Sequence, residues 1–296
     1  RGPSRPTGAA ARLHWQTRTV ITRQVAGATV SGIGLGTMVF GFGDATNDEQ
    51  SIRTLHTAFD AGIDLVDTAL CYTSLDEPSH SERVVAEAIR TWGGDIRLAT
   101  KGGHWRDASG FPKDGRPVAI RAHCETSLST LGVESIWLYQ LHWPDPAVPI
   151  EESMGAFAEL QQEGKVQHVG VSNFSLDQLA AAQSVVTVAS VQNPFSIVRQ
   201  DDREVLDHCA ASDIAYLAYS PVGGHASAKK LDELVPAISR VAEAHGVTPQ
   251  TVALAWLLAQ SSTVVPLAGS SRPETVLSSA AAGDLELTPE ELALLG

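Results

Sequence analysis

Eight short apolar runs, each followed by a segment of helical pattern, predict an α/β chain folded as a (β/α)8 barrel. Two further observations agree. No linker or composition break divides the 296 residues, and unusual ionisable residues sit at the C-terminal ends of the apolar runs, where a barrel builds its site. The alternative is a doubly wound sheet. Its dinucleotide fingerprint fails on spacing, because in "SGIGLGT" the glycines Gly32, Gly34 and Gly36 are followed at the sixth position by Thr37.

The elements follow in order. "TVITRQVAGATVSG" (19–32) alternates around "AGAT" and predicts a β-hairpin closing the barrel bottom. Strand candidates are 31–37, 63–69, 96–100, 136–142, 166–172, 188–192, 214–220 and 263–269. Helical patterns occupy 47–61, 79–92, 118–131, 151–164, 175–184, 201–212, 248–261 and 273–282. "SNFSLDQLAAA" opens on a serine cap, and "TPQTVALAWLLAQ" on a threonine cap with proline in the first turn. Two connections are long and polar: 102–117, "GGHWRDASGFPKDGRP", and 221–230, "PVGGHASAKK". Long loops on this face usually carry function. Residues 1–18 are Arg-, Pro- and small-residue-rich with no acid. That composition suits a transit peptide, or a disordered extension or expression remnant, and the barrel is assigned to 19–296.

Bulk properties narrow the function. A net charge of -13 and a pI near 5.1 argue against nucleic acid or an anionic membrane as partner. Cys71, Cys124 and Cys209 are too scattered for a disulfide framework, which favours a reducing, cytoplasmic location. No apolar run approaches the roughly 20 residues of a membrane span. The ten histidines are dispersed, with no His-x-His on the first strand and no H-E-x-x-H, so no metal site is expected.

At the strand ends stand Asp67 and Tyr72 after the second strand, Lys101 after the third and His142 after the fourth. Singly, each has a structural explanation as a cap, a packed ring, a solvated amine or a hydrogen-bonded imidazole. Together they have a mechanism. A phenol titrating near ~10 is protonated at neutral pH and can donate. A nearby lysine favours phenolate and lowers that pKa, Asp67 would hold Lys101 in place, and His142 would orient a carbonyl oxygen. Such equipment protonates an oxygen but holds no hydride, so a cofactor is required.

The ordered motifs "GLGTM", "DLVDTALCYT", "LATKGG", "LYQLHWPD", "KVQHVGVSNF", "SVQNPFS" and "LAYSPVGG" resemble those of the aldo-keto reductase superfamily, from about residue 25 to the C-terminus. The resemblance implies a single-domain (β/α)8 barrel that binds NADPH or NADP+ and interconverts a small-molecule carbonyl and its alcohol. Asp67, Tyr72, Lys101 and His142 match its catalytic tetrad, with Tyr72 as proton donor. Ser172, Asn173 and Gln192 match contacts to the nicotinamide carboxamide, and Tyr219 the stacking ring. Gly36, Thr37 and Met38 match the loop beside the cofactor, and Ser220 and Pro221 the pyrophosphate strap. In "GSSRPE" and the helix it opens, Gly269, Ser270, Ser271, Arg272 and Thr275 match the phosphate end, with Arg272 facing the 2′-phosphate. A departure is Ser279, where many relatives keep an adenine-contacting Asn.

The substrate pocket is assigned to Phe40, Trp105, Arg106 and Trp143, with Phe111 and Phe195 beside them. The loop after the third strand is similar to a bacterial subgroup that includes pyridoxal reductases. Competing readings are a Schiff-base lyase using Lys101, which borohydride trapping would reveal, and a cofactor-bound regulatory subunit with little turnover.

Overall fold

The computed structural model describes residues 21–42, 47–75 and 77–296. The expectation for residues 1–18 lies outside the described residues. Within them, all eight strand candidates form strands: β3 (Gly34–Gly36), β4 (Leu65–Asp67), β5 (Arg97–Gly102), β6 (Ile136–Leu141), β7 (Val166–Ser172), β8 (Val188–Gln192), β9 (Ala215–Ala218) and β10 (Val264–Gly269). They close in the order β10-β3-β4-β5-β6-β7-β8-β9, every pair parallel. This is the (β/α)8 barrel that the alternation implies.

The hairpin precedes it as β1 (Thr22–Val25) and β2 (Ala28–Ser31). Its two turn residues, Ala26 and Gly27, both have positive φ (53° and 76°), the geometry that lets a two-residue turn match strand twist. Val25 and Val30 pack into one cluster with Leu65, Leu138, Leu217, Val265 and Leu267 from the barrel interior. The hairpin therefore plugs the bottom. Arg23 fastens it, donating from Nε to the Val264 carbonyl (3.0 Å) and from Nη2 to the Leu258 carbonyl (2.7 Å). Each of these bonds satisfies a carbonyl at an element end that burial would otherwise leave unpaired.

All eight helical patterns are helices, with ends shifted by a few residues: Asp48–Asp60, His80–Trp92, Pro117–Leu131, Ile150–Gln162, Leu176–Gln183, Arg203–Ala211, Pro249–Leu258 and Pro273–Ala280. Ser175 closes a capping box with Gln178, and Thr248 caps the helix that Pro249 begins. The loop 221–230 departs from expectation, since Gly224–Ala228 is helical, and Leu231–Leu234 and Ile238–His245 follow it. Ile238, Val241 and Ala242 are buried on one face of the last of these, a helical period with a left-handed Gly246 after it.

Candidate active site

Inward-facing residues of β4, β5, β6 and β8 meet above the apolar plug. Lys101 is wholly buried and Asp67 nearly so. Lys101 Nζ donates to Asp67 Oδ2 (2.6 Å), to the Thr68 carbonyl (2.9 Å) and to the Tyr72 hydroxyl (3.1 Å). An ammonium has three donors, and all three are engaged. Wholly buried and tied to three partners, this nitrogen is not free to attack a carbonyl carbon, which argues against the lyase reading. The other carboxylate oxygen, Asp67 Oδ1, accepts from Gln192 Nε2 (2.8 Å) and Gln140 Nε2 (3.1 Å). A buried ion pair needs such additional bonds to survive desolvation. Gly170 makes room, because a Cβ there would lie 2.3 Å from Ser190 Oγ and 3.0 Å from Gln140 Cγ.

Since Lys101 donates to Tyr72, the phenol is an acceptor in that bond and its own O–H is left to donate. The expected lowering of its pKa is not found. Burial, then the Asp67 charge, hold Tyr72 well above the ordinary value and keep it protonated. The His142 ring lies 5.6 Å from the Tyr72 ring, edge to face. Burial, followed by the charges of Lys101, His104 and Lys113, pushes His142 well below the usual imidazole range, so it is neutral. Its Nδ1 lies 3.5 Å from Cys71 Sγ. Burial drives that thiol up to about 12. A thiol donating to Nδ1 leaves the ring proton on Nε2, available to a ligand oxygen.

Residues expected at a nicotinamide form one chain of hydrogen bonds with this unit. Tyr219 Oη donates to Asn173 Oδ1 (2.7 Å), and Asn173 Nδ2 donates to Ser172 Oγ and the His142 carbonyl (3.0 Å each). Ser172 Oγ donates to the Gln192 carbonyl (2.8 Å). Asn173 and Ser220, at the ends of β7 and β9, hold φ of 63° and 50°, a left-handed conformation that turns the chain sharply at the mouth. Pro221 follows, buried, while Ser220 is exposed. Amide, hydroxyl and phenol groups so placed suit a carboxamide and a flat ring.

Other residues line the opposite rim. Gly36 pairs in register with Gly269, and Met38 is exposed. Thr37 is wholly buried, its hydroxyl donating to the Asp67 carbonyl (3.1 Å) and lying 2.8 Å from Ser81 Oγ, so its side chain braces the strand ends at this rim. Beyond β10, Ser270 Oγ accepts from the Arg272 N–H and donates to its carbonyl, shaping the turn. The Ser271 carbonyl is held by Gln50 Nε2 (2.8 Å) and Thr54 Oγ1 (3.3 Å). The helix from Pro273 has no side-chain cap, and Arg272 is exposed beside it with Nη2 3.4 Å from Thr275 Oγ1. Uncapped N–H groups next to an arginine suit a phosphate. Ser279 Oγ donates to the Thr275 carbonyl (3.0 Å), which engages its proton within the helix.

The pocket assignments change most. Phe40 is 1% exposed in the core with Leu35, Leu55 and Val66, because the short helix Met38–Gly41 turns it inward. Phe195 is likewise buried, stacked on Trp256. Trp105 packs on His123 (5.5 Å). The ring beside Tyr72 is instead Phe42 (6.1 Å), which in turn touches Phe111 (5.6 Å). His104, absent from the sequence reading, lies 5.1 Å from His142. Arg106 and Trp143 are both at the mouth, Arg106 Nη1 donating to the Thr73 carbonyl (2.6 Å) and Lys113 Nζ 4.2 Å over the Trp143 ring. Gln140 was also missed, although strand alternation puts it on the inward face with Leu138. Among the described residues, no three or more metal-ligating side chains gather, and no helix is long and apolar enough to cross a membrane.

A parallel barrel carrying this mouth defines a class, the barrel-fold oxidoreductases. Residues 32–295 match the sequence profile of the Aldo/keto reductase family, and the chain belongs to that family. An uncharacterized oxidoreductase of Schizosaccharomyces pombe is 32% identical over 279 residues, 93% of this chain and 88% of its own. A probable aldo-keto reductase of Glycine max is 31% identical over 298 residues, 90% and 84% of the two chains. The crystal structure of an aldo-keto reductase from Klebsiella pneumoniae in complex with NADPH is similar with a TM-score of 0.81 at 28% identity, covering 94% of each chain.

Proposed function

We propose that the protein reduces an aldehyde or ketone to the alcohol, reversibly, with NADPH as cofactor and Tyr72 as proton donor. The observation that carries this reading is the Lys101 ammonium bridging Asp67 and Tyr72 while the phenol proton stays free to be given away. Ser172, Asn173, Gln192 and Tyr219 would hold the nicotinamide end, and Arg272 with the helix N-terminus beside it the 2′-phosphate. When bound, that cofactor supplies the hydride. The NADPH-bound neighbour supports the choice of cofactor.

The chain's own residues do the rest. The imidazole of His142, neutral and with Nε2 unengaged among the described residues, fixes the substrate oxygen near Tyr72. Tyr72 donates its proton as negative charge grows on that oxygen. Lys101 then steadies the phenolate by the hydrogen bond it already makes, without reorganisation. Asp67, held by two glutamine amides, keeps Lys101 aimed. General acid catalysis of this kind contributes roughly 10²–10⁴-fold. Tyr72→Phe is therefore expected to lower kcat by at least about a hundredfold while NADPH binding, read by fluorescence titration, stays within a few-fold. A mutant retaining more than about a tenth of the rate, a loss below ~1.4 kcal/mol, would overturn the assignment.

A further inference from the structure

We infer that the carbonyl substrate is anionic: an aldehyde or ketone on a flat body that also carries a carboxylate or phosphate, gripped by Arg106 with Lys113 alongside. The inference rests on the reductase reading above and names its substrate class.

The charge pattern around the mouth is the starting point. The chain has 34 acidic against 21 basic residues, and surface arginines near the site are taken up by acids, as Arg116 is by Asp114 and Arg83 by Asp48 and Glu77. Arg106 and Lys113 differ. Both lie on the loop between β5 and the helix Pro117–Leu131, and among the described residues neither is paired with a carboxylate. Arg106 is nevertheless held in place. One nitrogen donates to the Thr73 carbonyl, next to Tyr72, and its Cζ lies 5.1 Å from the Phe42 ring and 5.3 Å from the Phe111 ring. A guanidinium has five N–H donors in a rigid fork, so several remain for an oxyanion after that single bond. Those two rings, 5.6 Å apart, pack together against one side of the cation and shed water from it without neutralising it.

Lys113 stands on the other flank. It pairs in a short antiparallel bridge with His104, and its ammonium lies over Trp143, the residue after His142. Its charge contributes to pushing both His104 and His142 down. His104 beside it stays uncharged, since burial first, then Lys113, bring that imidazole to about 4. His104 is 7% exposed and its Nδ1 has no hydrogen-bond partner, so a third polar group stands in the pocket beside His142 with bonding capacity unspent. Geometry then sets the shape of the ligand. Phe42 neighbours both groups, its ring 6.1 Å from the Tyr72 ring and 5.1 Å from the Arg106 Cζ, so the anion would sit on the order of one aromatic ring from the reacting carbonyl. In a chain of net charge -13, two cations at the mouth that no described carboxylate pairs with would also favour such a molecule there.

The test uses the intact protein with NADPH and three substrates sharing one ring: benzaldehyde, 4-carboxybenzaldehyde and 4-formylphenyl phosphate. At low salt at least one anionic aldehyde is expected to exceed benzaldehyde in kcat/KM by tenfold or more, through KM, with the advantage shrinking as salt is raised. Comparison of the two anions tells carboxylate from phosphate. Arg106→Met should lower kcat/KM for the favoured anion at least tenfold more than for benzaldehyde, and Arg106→Lys should recover part of that difference. Benzaldehyde reduced as well as both anions overturns the inference and leaves the reductase reading standing, as does an Arg106→Met that slows all three equally. Turnover of none of the three removes the reductase reading and the inference with it.

Discussion

Two buried carboxyl groups flank the same strand, one inside the barrel and one outside. Lys101 of β5 points inward to Asp67, while Thr100, one residue earlier, points outward and donates to Glu82 Oε1 (2.6 Å) on the helix His80–Trp92. Both acids are out of water, Asp67 at 3% exposure and Glu82 at 0%. Asp67 has an ammonium on one oxygen and two amides on the other. Glu82 has hydroxyls only, Thr100 donating to Oε1 with the Ser127 hydroxyl beside it, and among the described residues no cation bonds either oxygen. Burial pushes Glu82 up to about 7, against which the Thr100 and Ser127 hydroxyls and the Lys101 charge are smaller opposing effects. Burial alone therefore does not settle the fate of a carboxylate. Partners that bond both oxygens and supply a countercharge offset the burial of one carboxyl, and a poorly satisfied one drifts toward neutrality.

The contrast can be broken most sharply from the inside. Lys101→Met leaves Asp67 a buried charge with no cation, and unfolding by denaturant should show a loss of about 3–5 kcal/mol. An unchanged midpoint would mean that the glutamines alone carry that charge. The outer carboxyl gives a pH-dependent effect of opposite sense. Its folded pKa, about 7, stands above the ordinary 4.5, so the stability tied to Glu82 is fully present below about 4.5 and is lost as pH rises through about 7. Glu82→Gln should abolish that loss, gaining on the parent by up to about 3 kcal/mol between pH 5 and 8 in denaturation curves. A pH-independent difference between the two proteins would contradict it. Smallest is Gln140→Leu, which removes one of two amides from Asp67 Oδ1. Hydrogen bonds to charged groups are worth about 2 kcal/mol, and that is the expected stability decrease, with a matching shift of the kcat pH profile if Asp67 tunes Tyr72.

Much of this was legible from residue order. Strands and helices appeared where apolar period and caps placed them, because local pattern and turn chemistry act through neighbours in sequence. Ile238–His245 was legible too, its apolar spacing and terminal Gly246 being ordinary helix signals overlooked beside a polar loop. The four strand-end residues Asp67, Tyr72, Lys101 and His142 met as expected, since a barrel brings adjacent strand ends to one mouth. Side-chain direction after a strand was not legible. One residue separates Phe40 from Phe42, and a four-residue helix sends the first to the core and leaves the second beside Tyr72.

By itself, then, the sequence determined the fold, the order of its elements and the kinds of group presented at the mouth. Tertiary structure decided which of those groups are charged and which are neutral. Asp67 is held by Gln192, 125 positions away, and His142 is pressed neutral by burial and by cations from a distant strand and loop. The reason is physical: the free energy of a charge depends on its distance to partners and on the water removed around it, and neither is set until the chain has closed.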